Sequence, residues 1–170
     1  MGTTITFKNL TIGYRSKHQL RAVASSIHAS LQENKLTCLI GANGVGKSTL
    51  LRTLSGFQPP LDGEILIQDK PLSDYSAREL AQEIGVVLTN RMDTPQLSVQ
   101  EIIGIGRSPY TGFWGTLSSA DQKIVDEAIR QTGIQHLASR SITELSDGER
   151  QKVMIAKALA QQTSLIILDE

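Results

Sequence analysis

Eight residues constrain this chain more than any others. Gly41-Ala42-Asn43-Gly44-Val45-Gly46-Lys47-Ser48 satisfies every fixed position of the pattern G-x-x-x-x-G-K-[ST]. Its glycines let the backbone curl through positive φ and aim several N–H groups at one point, its lysine adds a point charge, and its hydroxyl is a ligand for Mg2+. Together they cradle a triphosphate. The mechanism also needs a strand to deliver the loop and a helix N-terminus to receive the anion. Residues 36–40, Leu-Thr-Cys-Leu-Ile, are a short apolar run that predicts this strand. Lys47 to Ser55 reads as a helix closed by Gly56.

At 170 residues and 39% hydrophobic content, the chain has enough apolar material for one domain with an inserted subdomain. Seventeen basic residues balance seventeen acidic ones, so no overall field favours nucleic acid or an anionic membrane. Nucleic acid is therefore not among the expected partners. The single cysteine, Cys38, falls in the apolar run before the loop and reads as a small buried hydrophobe. One cysteine excludes an internal disulfide framework, which suits a reducing compartment. The first residues lack a basic stretch followed by an apolar one, and no apolar run approaches the ~20 residues of a spanning helix. These features predict a cytoplasmic location.

Along the chain, Ile5 to Ile12 alternates apolar and polar positions and then meets Gly13-Tyr14, which predicts a half-buried strand ending in a turn. Ile27, Ala29 and Leu31 form a second alternation, so the start of the chain is antiparallel β in character. After the loop helix, residues 59–63 form a turn and residues 64–67 a strand. Ser76 and Glu79 make an S-x-x-E capping box that opens a short helix to about Glu83, followed by a strand over residues 84–88. A further capping box at Ser98 and Glu101, a turn-rich segment over 106–115 and a helix over 119–132 build an all-helical insertion of roughly fifty residues. Three segments follow from this reading: 1–90, the β region and loop core; 91–146, the helical subdomain; and 147–170, a return to the core.

That last segment reads as a helix over about 147–161 and then Leu165-Ile166-Ile167-Leu168-Asp169-Glu170. An all-apolar strand suits the centre of a parallel sheet covered on both faces, and it delivers two carboxylates to the sheet's C-terminal edge, where α/β sheets bind ligands. Asp169 is placed for the Mg2+ shell, and Glu170 to polarise an attacking water. Just before this helix, Leu145-Ser146-Asp147-Gly148-Glu149 supplies another capping box. A helix start with small residues is also an anion site, because its free N–H groups and dipole favour phosphate.

The order of these features, with Leu145 to Glu149 about two dozen residues before the acidic strand end, resembles the ATP-binding subunit of an ABC transporter. The resemblance covers almost the whole chain. It implies an α/β P-loop ATPase core with an N-terminal antiparallel β region and an inserted helical subdomain. It also implies ATP and Mg2+ as cofactors, with residues 41–48 and Thr49 binding ATP and Lys47 and Glu170 acting in hydrolysis. Ser48 and Asp169 become the expected Mg2+ ligands. In that family an L-S-G-G-Q signature serves the ATP of a partner subunit; here Ser146 and Gly148 match it, while Asp147 replaces a glycine and Glu149 a glutamine. Tyr14 matches the aromatic that stacks on adenine. After Val86-Val87-Leu88 the family has a glutamine that touches Mg2+, where this chain offers Thr89-Asn90; Asn90 keeps the amide one methylene shorter, so a bridging water joins it to the ion.

The partners implied are a second ATPase subunit, membrane-embedded permease subunits and a substrate-binding protein acting through the permease, with the chain peripheral on the inner face of the membrane. Residues 100–110 resemble importers of iron-siderophore, haem and cobalamin. Other readings are a soluble ABC ATPase of iron–sulfur assembly or DNA repair, and a regulatory module that binds nucleotide without hydrolysing it, the latter prompted by Asp147 and Asn90. The family core continues past the acidic strand to a switch histidine, which His18, His28 and His136 all precede. The resemblance therefore implies a C-terminally truncated piece that binds nucleotide weakly and turns over little ATP.

Overall fold

The computed structural model describes residues 3–16, 19–87 and 97–169. They fall into two compact units, Met1–Leu80 and Ala81–Glu170. His18, Leu88, Thr89, Asn90 and Glu170 lie outside the described residues.

The first unit is built on one antiparallel sheet. Strands β1 (Thr3–Arg15), β2 (Leu20–Gln32), β3 (Asp62–Ile67) and β4 (Lys70–Pro71) lie in the order β2-β1-β3-β4. The central strand β1 buries Ile5 and Phe7, then Leu10 and Ile12, a change from odd to even positions. A register shift between Phe7 and Leu10 makes the change, with Asn9 at φ 47°. An extra residue in one strand of a pair rotates the alternation by one step, and here it keeps both apolar pairs on the core side.

Three expectations for this unit fail. Gly13 and Tyr14 do not form a turn: β1 runs on through Arg15, with Gly13 opposite Ala22 and Tyr14 opposite Arg21. Gly13 serves a close approach, because a Cβ there would run into the Arg21 carbonyl and meet Leu61 Cδ1 at 2.8 Å. Residues 36–40 form no strand, and Leu36 and Ile40 are 89% and 90% exposed. Local β preference needs a neighbour to supply ladder hydrogen bonds. Both edges of β1 are taken by β2 and β3, and none of the described strands pairs with 36–40. Cys38, expected to be buried, is exposed with this run.

In the second unit, helices α3 (Val99–Ile105), α4 (Ser119–Gln131) and α5 (Asp147–Gln161) close around Val99, Ile102, Ile103, Val125, Ile129 and Val153. The short helix α2 (Ala77–Glu83) leads into β5 (Ile84–Val87), which pairs in parallel with β6 (Leu165–Leu168). The Gln161 amide, at the end of α5, donates to the carbonyls of Ala81 (2.6 Å) and Ile84 (3.1 Å) and fixes the helix to the start of β5. Among the described residues the one neighbour of β6 is β5, and while Ile167 is buried, Ile166 and Leu168 are exposed.

A buried cation joins the three helices. Arg107, 5% exposed, donates to Asp121 Oδ1 at 2.9 Å and to the Ala160 carbonyl at 2.8 Å, and stacks on the Tyr110 ring with 4.0 Å to the centroid. An enclosed guanidinium is tolerated where its donors are met in this way. No helix among the described residues is long and apolar enough to cross a membrane.

Four helices start on the same device. The hydroxyls of Ser76, Ser98, Ser118 and Ser146 accept the N–H three residues on, while the carboxylates of Glu79, Glu101, Asp121 and Glu149 accept the serine N–H in return. Each carboxyl is held below its ordinary range, first by the serine hydroxyl. A depressed folded value means the stabilisation is complete above the unfolded carboxylate range, about pH 4, and is lost as the pH falls through the folded values. The Ser98→Ala variant is therefore expected to lose about 1 kcal/mol of stability at neutral pH and to show a flatter acid limb. Urea unfolding at neutral pH and at about pH 3 measures both.

Candidate functional site

The phosphate-loop pattern sits at the start of helix α1 (Lys47–Leu54). Gly44 and Gly46 take φ of 81° and 109°, a region where an L side chain is strained, and the Val45 N–H returns to the Ala42 carbonyl at 3.3 Å. Gly46 is the N-cap of α1 and supplies no side-chain cap. Val23 packs over it, so that a Cβ there would meet Val23 Cγ1 at 2.6 Å. The first turn of α1 thus carries amide donors that no capping side chain closes, at the positive end of the helix dipole.

Lys47 folds its ammonium back over the loop and donates to the carbonyls of Gly41 (2.7 Å) and Ala42 (3.1 Å). Those bonds keep the charge at the mouth of the loop, beside the backbone of Gly41, Ala42 and Asn43. Gly41 to Val45 and Ser48 are exposed, Gly46 and Lys47 half-buried, and Thr49 is 6% exposed.

Tyr14 reaches this helix from the end of β1. Its hydroxyl lies 3.0 Å from Thr49 Oγ1, and the residue remains 51% exposed. An aromatic platform and a phosphate loop are thereby held in one unit of the fold. Of the remaining expected residues, Asp169 follows β6, with its N–H on the Val87 carbonyl at 3.1 Å. Ser48 and Asp169 are both oxygen donors, the chemistry that Mg2+ accepts. Asn90 and Glu170 lie outside the described residues.

The Leu145 to Glu149 stretch makes the start of α5. Leu145 is buried, Ser146 is the N-cap, and Gly148 faces open space. The Ser146 hydroxyl donates to Glu149 Oε2 at 2.6 Å, and the Ser146 N–H donates to the same oxygen at 2.8 Å. The two donors that would meet an incoming anion are thus bound to a carboxylate of the same chain, with the Asp147 carboxylate exposed beside them. Arg150, which sequence reasoning passed over, fixes the approach to this helix. It donates to the Leu145 carbonyl at 2.8 Å and to the Ile142 carbonyl at 3.3 Å, and pairs with Asp147 Oδ1 at 3.2 Å. Its place one residue after the capping glutamate was the available signal.

A family profile described as ABC transporter matches residues 24–170. The chain is 37% identical over 163 residues to the ferric enterobactin transport ATP-binding protein FepC of Escherichia coli K12, a match covering 96% of this chain and 59% of FepC. It is 36% identical over 169 residues to the achromobactin transport ATP-binding protein CbrD of Dickeya dadantii, covering 99% of this chain and 61% of CbrD. Among solved structures, the dimeric bacterial ABC transporter cassette MJ0796 matches with a TM-score of 0.80 at 26% identity, over 98% of this chain and 73% of that one. The chain spans about three-fifths of the length of the two curated relatives.

The closed cap at α5 yields a separable pair of variants. Ser146→Ala removes the hydroxyl that meets the Glu149 N–H and is expected to cost about 1 kcal/mol, whereas Ser146→Thr, which keeps a hydroxyl, is expected to recover most of it. Thermal unfolding of both variants checks the ranking.

Proposed function

The chain belongs to the ABC transporter family, and from that premise we propose that it is the ATP-binding part of the subunit that powers import of a ferric siderophore across a membrane. One observation carries the nucleotide half of this reading: Gly44 and Gly46 turn the chain onto an uncapped helix start, with the Lys47 ammonium held over the loop. The cargo half is supported by the names of FepC and CbrD, which are ATP-binding proteins of ferric enterobactin transport and of achromobactin transport. Haem and cobalamin are the other cargoes of the group the sequence resembles.

In this reading the backbone amides of residues 41–48 and the Lys47 ammonium bind the phosphates, Thr49 borders them, and Tyr14 takes the base. Ser48 and Asp169 hold Mg2+, which offsets charge on the phosphate oxygens when bound. Asn90 is assigned to the shell of the ion through a water. Glu170 orients and polarises the water that attacks the γ-phosphate. There is little covalent chemistry for the protein to do, so the rate comes from positioning and from donors already aimed where charge develops.

The dimeric state of the MJ0796 cassette supports a second copy as partner, with Ser146, Asp147, Gly148 and Glu149 of one copy facing the nucleotide of the other. Membrane permease subunits receive the motion, a substrate-binding protein delivers cargo to them, and this chain works at the inner face of the membrane.

A non-hydrolysing regulatory module is the second reading, favoured by the commitment of both Ser146 donors to Glu149. One experiment separates the two. In the whole protein assembled with its permease in liposomes, Lys47→Ala is expected to lower ATP turnover about 100-fold or more and to stop ferric-siderophore uptake. Tight ATP binding without turnover by the unaltered assembly selects the regulatory module instead, and uptake of haem or cobalamin alone reassigns the cargo.

A further inference from the structure

The end of β1 and helix α1 are joined by more than the Tyr14 contact. Thr53, fully buried, donates its hydroxyl to the Thr49 carbonyl at 2.8 Å, and so presents its oxygen lone pairs to a further donor. That donor is the Gln58 amide, which reaches Thr53 Oγ1 at 3.1 Å and the Gly13 carbonyl at 3.3 Å. Gly13 is the residue before Tyr14. The bonds form a closed circuit: Tyr14 to Thr49 by side chains, Thr49 to Thr53 within the helix, Thr53 to Gln58, and Gln58 back to the backbone beside Tyr14. Thr53 donates within the helix and accepts from Gln58, both amide hydrogens of Gln58 are used, and the Tyr14–Thr49 bond is satisfied with either hydroxyl as donor.

We propose that Gln58, acting through Thr53 and Thr49, is a positioning residue that sets the angle of the Tyr14 ring, and that this circuit makes the site select a base-bearing nucleotide over bare polyphosphate. The inference rests on the nucleotide reading above. Thr49 is β-branched and helical, so its χ1 is confined to two positions, and in the structure it takes the one that brings Oγ1 within 3.0 Å of the Tyr14 hydroxyl. It is also 6% exposed, which keeps water from competing for the bond to Tyr14. The ring is therefore fixed from two sides, at its hydroxyl by Thr49 and at its backbone by Gln58, while half of the residue stays open to stack on a base. A platform already in its bound orientation binds more tightly, because less freedom is lost on binding. The bonds of the circuit end on the Tyr14 side of the site and none of them is made to residues 41–48, so a bare polyphosphate gains little from it.

The test is isothermal titration of the whole protein with Mg2+ present, using ATP and, as the base-free probe, inorganic tripolyphosphate. Gln58→Leu, which keeps bulk but donates nothing, is expected to weaken ATP about three- to tenfold, a part of what base stacking contributes, and to leave tripolyphosphate within about twofold. Tyr14→Phe, which deletes one oxygen and keeps the ring, is expected to behave alike and serves where Gln58→Leu folds poorly. Tyr14→Ala is expected to weaken ATP by about tenfold or more, and Gln58→Leu added to it to do nothing further. Equal losses for both ligands, no loss for either, or a full Gln58→Leu effect on the Tyr14→Ala background each overturn the proposal. An unaltered protein that binds tripolyphosphate as tightly as ATP overturns it alone, whereas binding of neither ligand removes the nucleotide reading and the proposal with it.

Discussion

The phosphate-loop unit depends on one of the register shifts in β1, the one around Asn9. Because side chains alternate with a period of two, a strand that buries Ile5 and Phe7 would turn Leu10, Ile12 and Tyr14 away from that side. The register shift around Asn9 reverses the phase, so the even positions after it are the ones directed inward. Ile12 then lies beside Gly46, and Tyr14, one step further along the same face, meets Thr49. The aromatic residue and the helix start are thus brought together by a register shift well before Tyr14 in the same strand. A straight β1 with the same amino acids would leave the loop intact and direct the tyrosine elsewhere.

Helix starts in this chain come in two kinds, and the difference is electrostatic. At α2, α3, α4 and α5 a carboxylate three residues into the helix neutralises the exposed amides from within, and the serine hydroxyls lower the pKa of those carboxyls in doing so. At α1 a left-handed glycine takes the cap position and provides no acceptor. Among the described helices the same dipole is therefore closed by a carboxylate at α2, α3, α4 and α5 and left without a side-chain cap at α1. The start of α5, read from the sequence as an anion site, has the chemistry of a closed cap, a consequence of glutamate at 149. A neutral amide there would keep the geometry while drawing less strongly on the Ser146 proton.

Much of this was legible along the chain, and the exceptions share a cause. Helices α4 and α5, and the boxes at Ser76, Ser98 and Ser146, were readable because each signal is local: a period of 3.6, or four consecutive residues. The box at Ser118 ends in Asp121 instead of glutamate, and so fell outside the pattern used to look for it. The expected strand over 36–40 was a local preference with no partner to realise it, and Leu36, Cys38 and Ile40 are exposed as a result. The structural roles of Arg107 and Gln58 gave no local signal. Their partners lie at Ala160 and Gly13, far along the sequence, and a one-dimensional pattern does not record such pairs.

Those two silent residues show where this fold uses buried polarity. Arg107 satisfies its donors on a carboxylate, a helix-end carbonyl and a ring face, which gathers α4 and α5 about the end of α3. Gln58 uses its amide to join β1 to α1. Hydrophobic packing around Leu10, Ile12 and Leu54 is compatible with small rotations of a helix on a sheet, because apolar contact has little directional preference. A hydrogen bond weakens steeply as its angle departs from linear, so a closed circuit of them allows one rotation and penalises the others. With balanced formal charge over the chain, no long-range field is available to draw in a polyanion. What the unit presents is local geometry: a loop turned by two glycines onto an uncapped helix start, and beside it a tyrosine whose hydroxyl meets Thr49 and whose neighbour Gly13 accepts from Gln58.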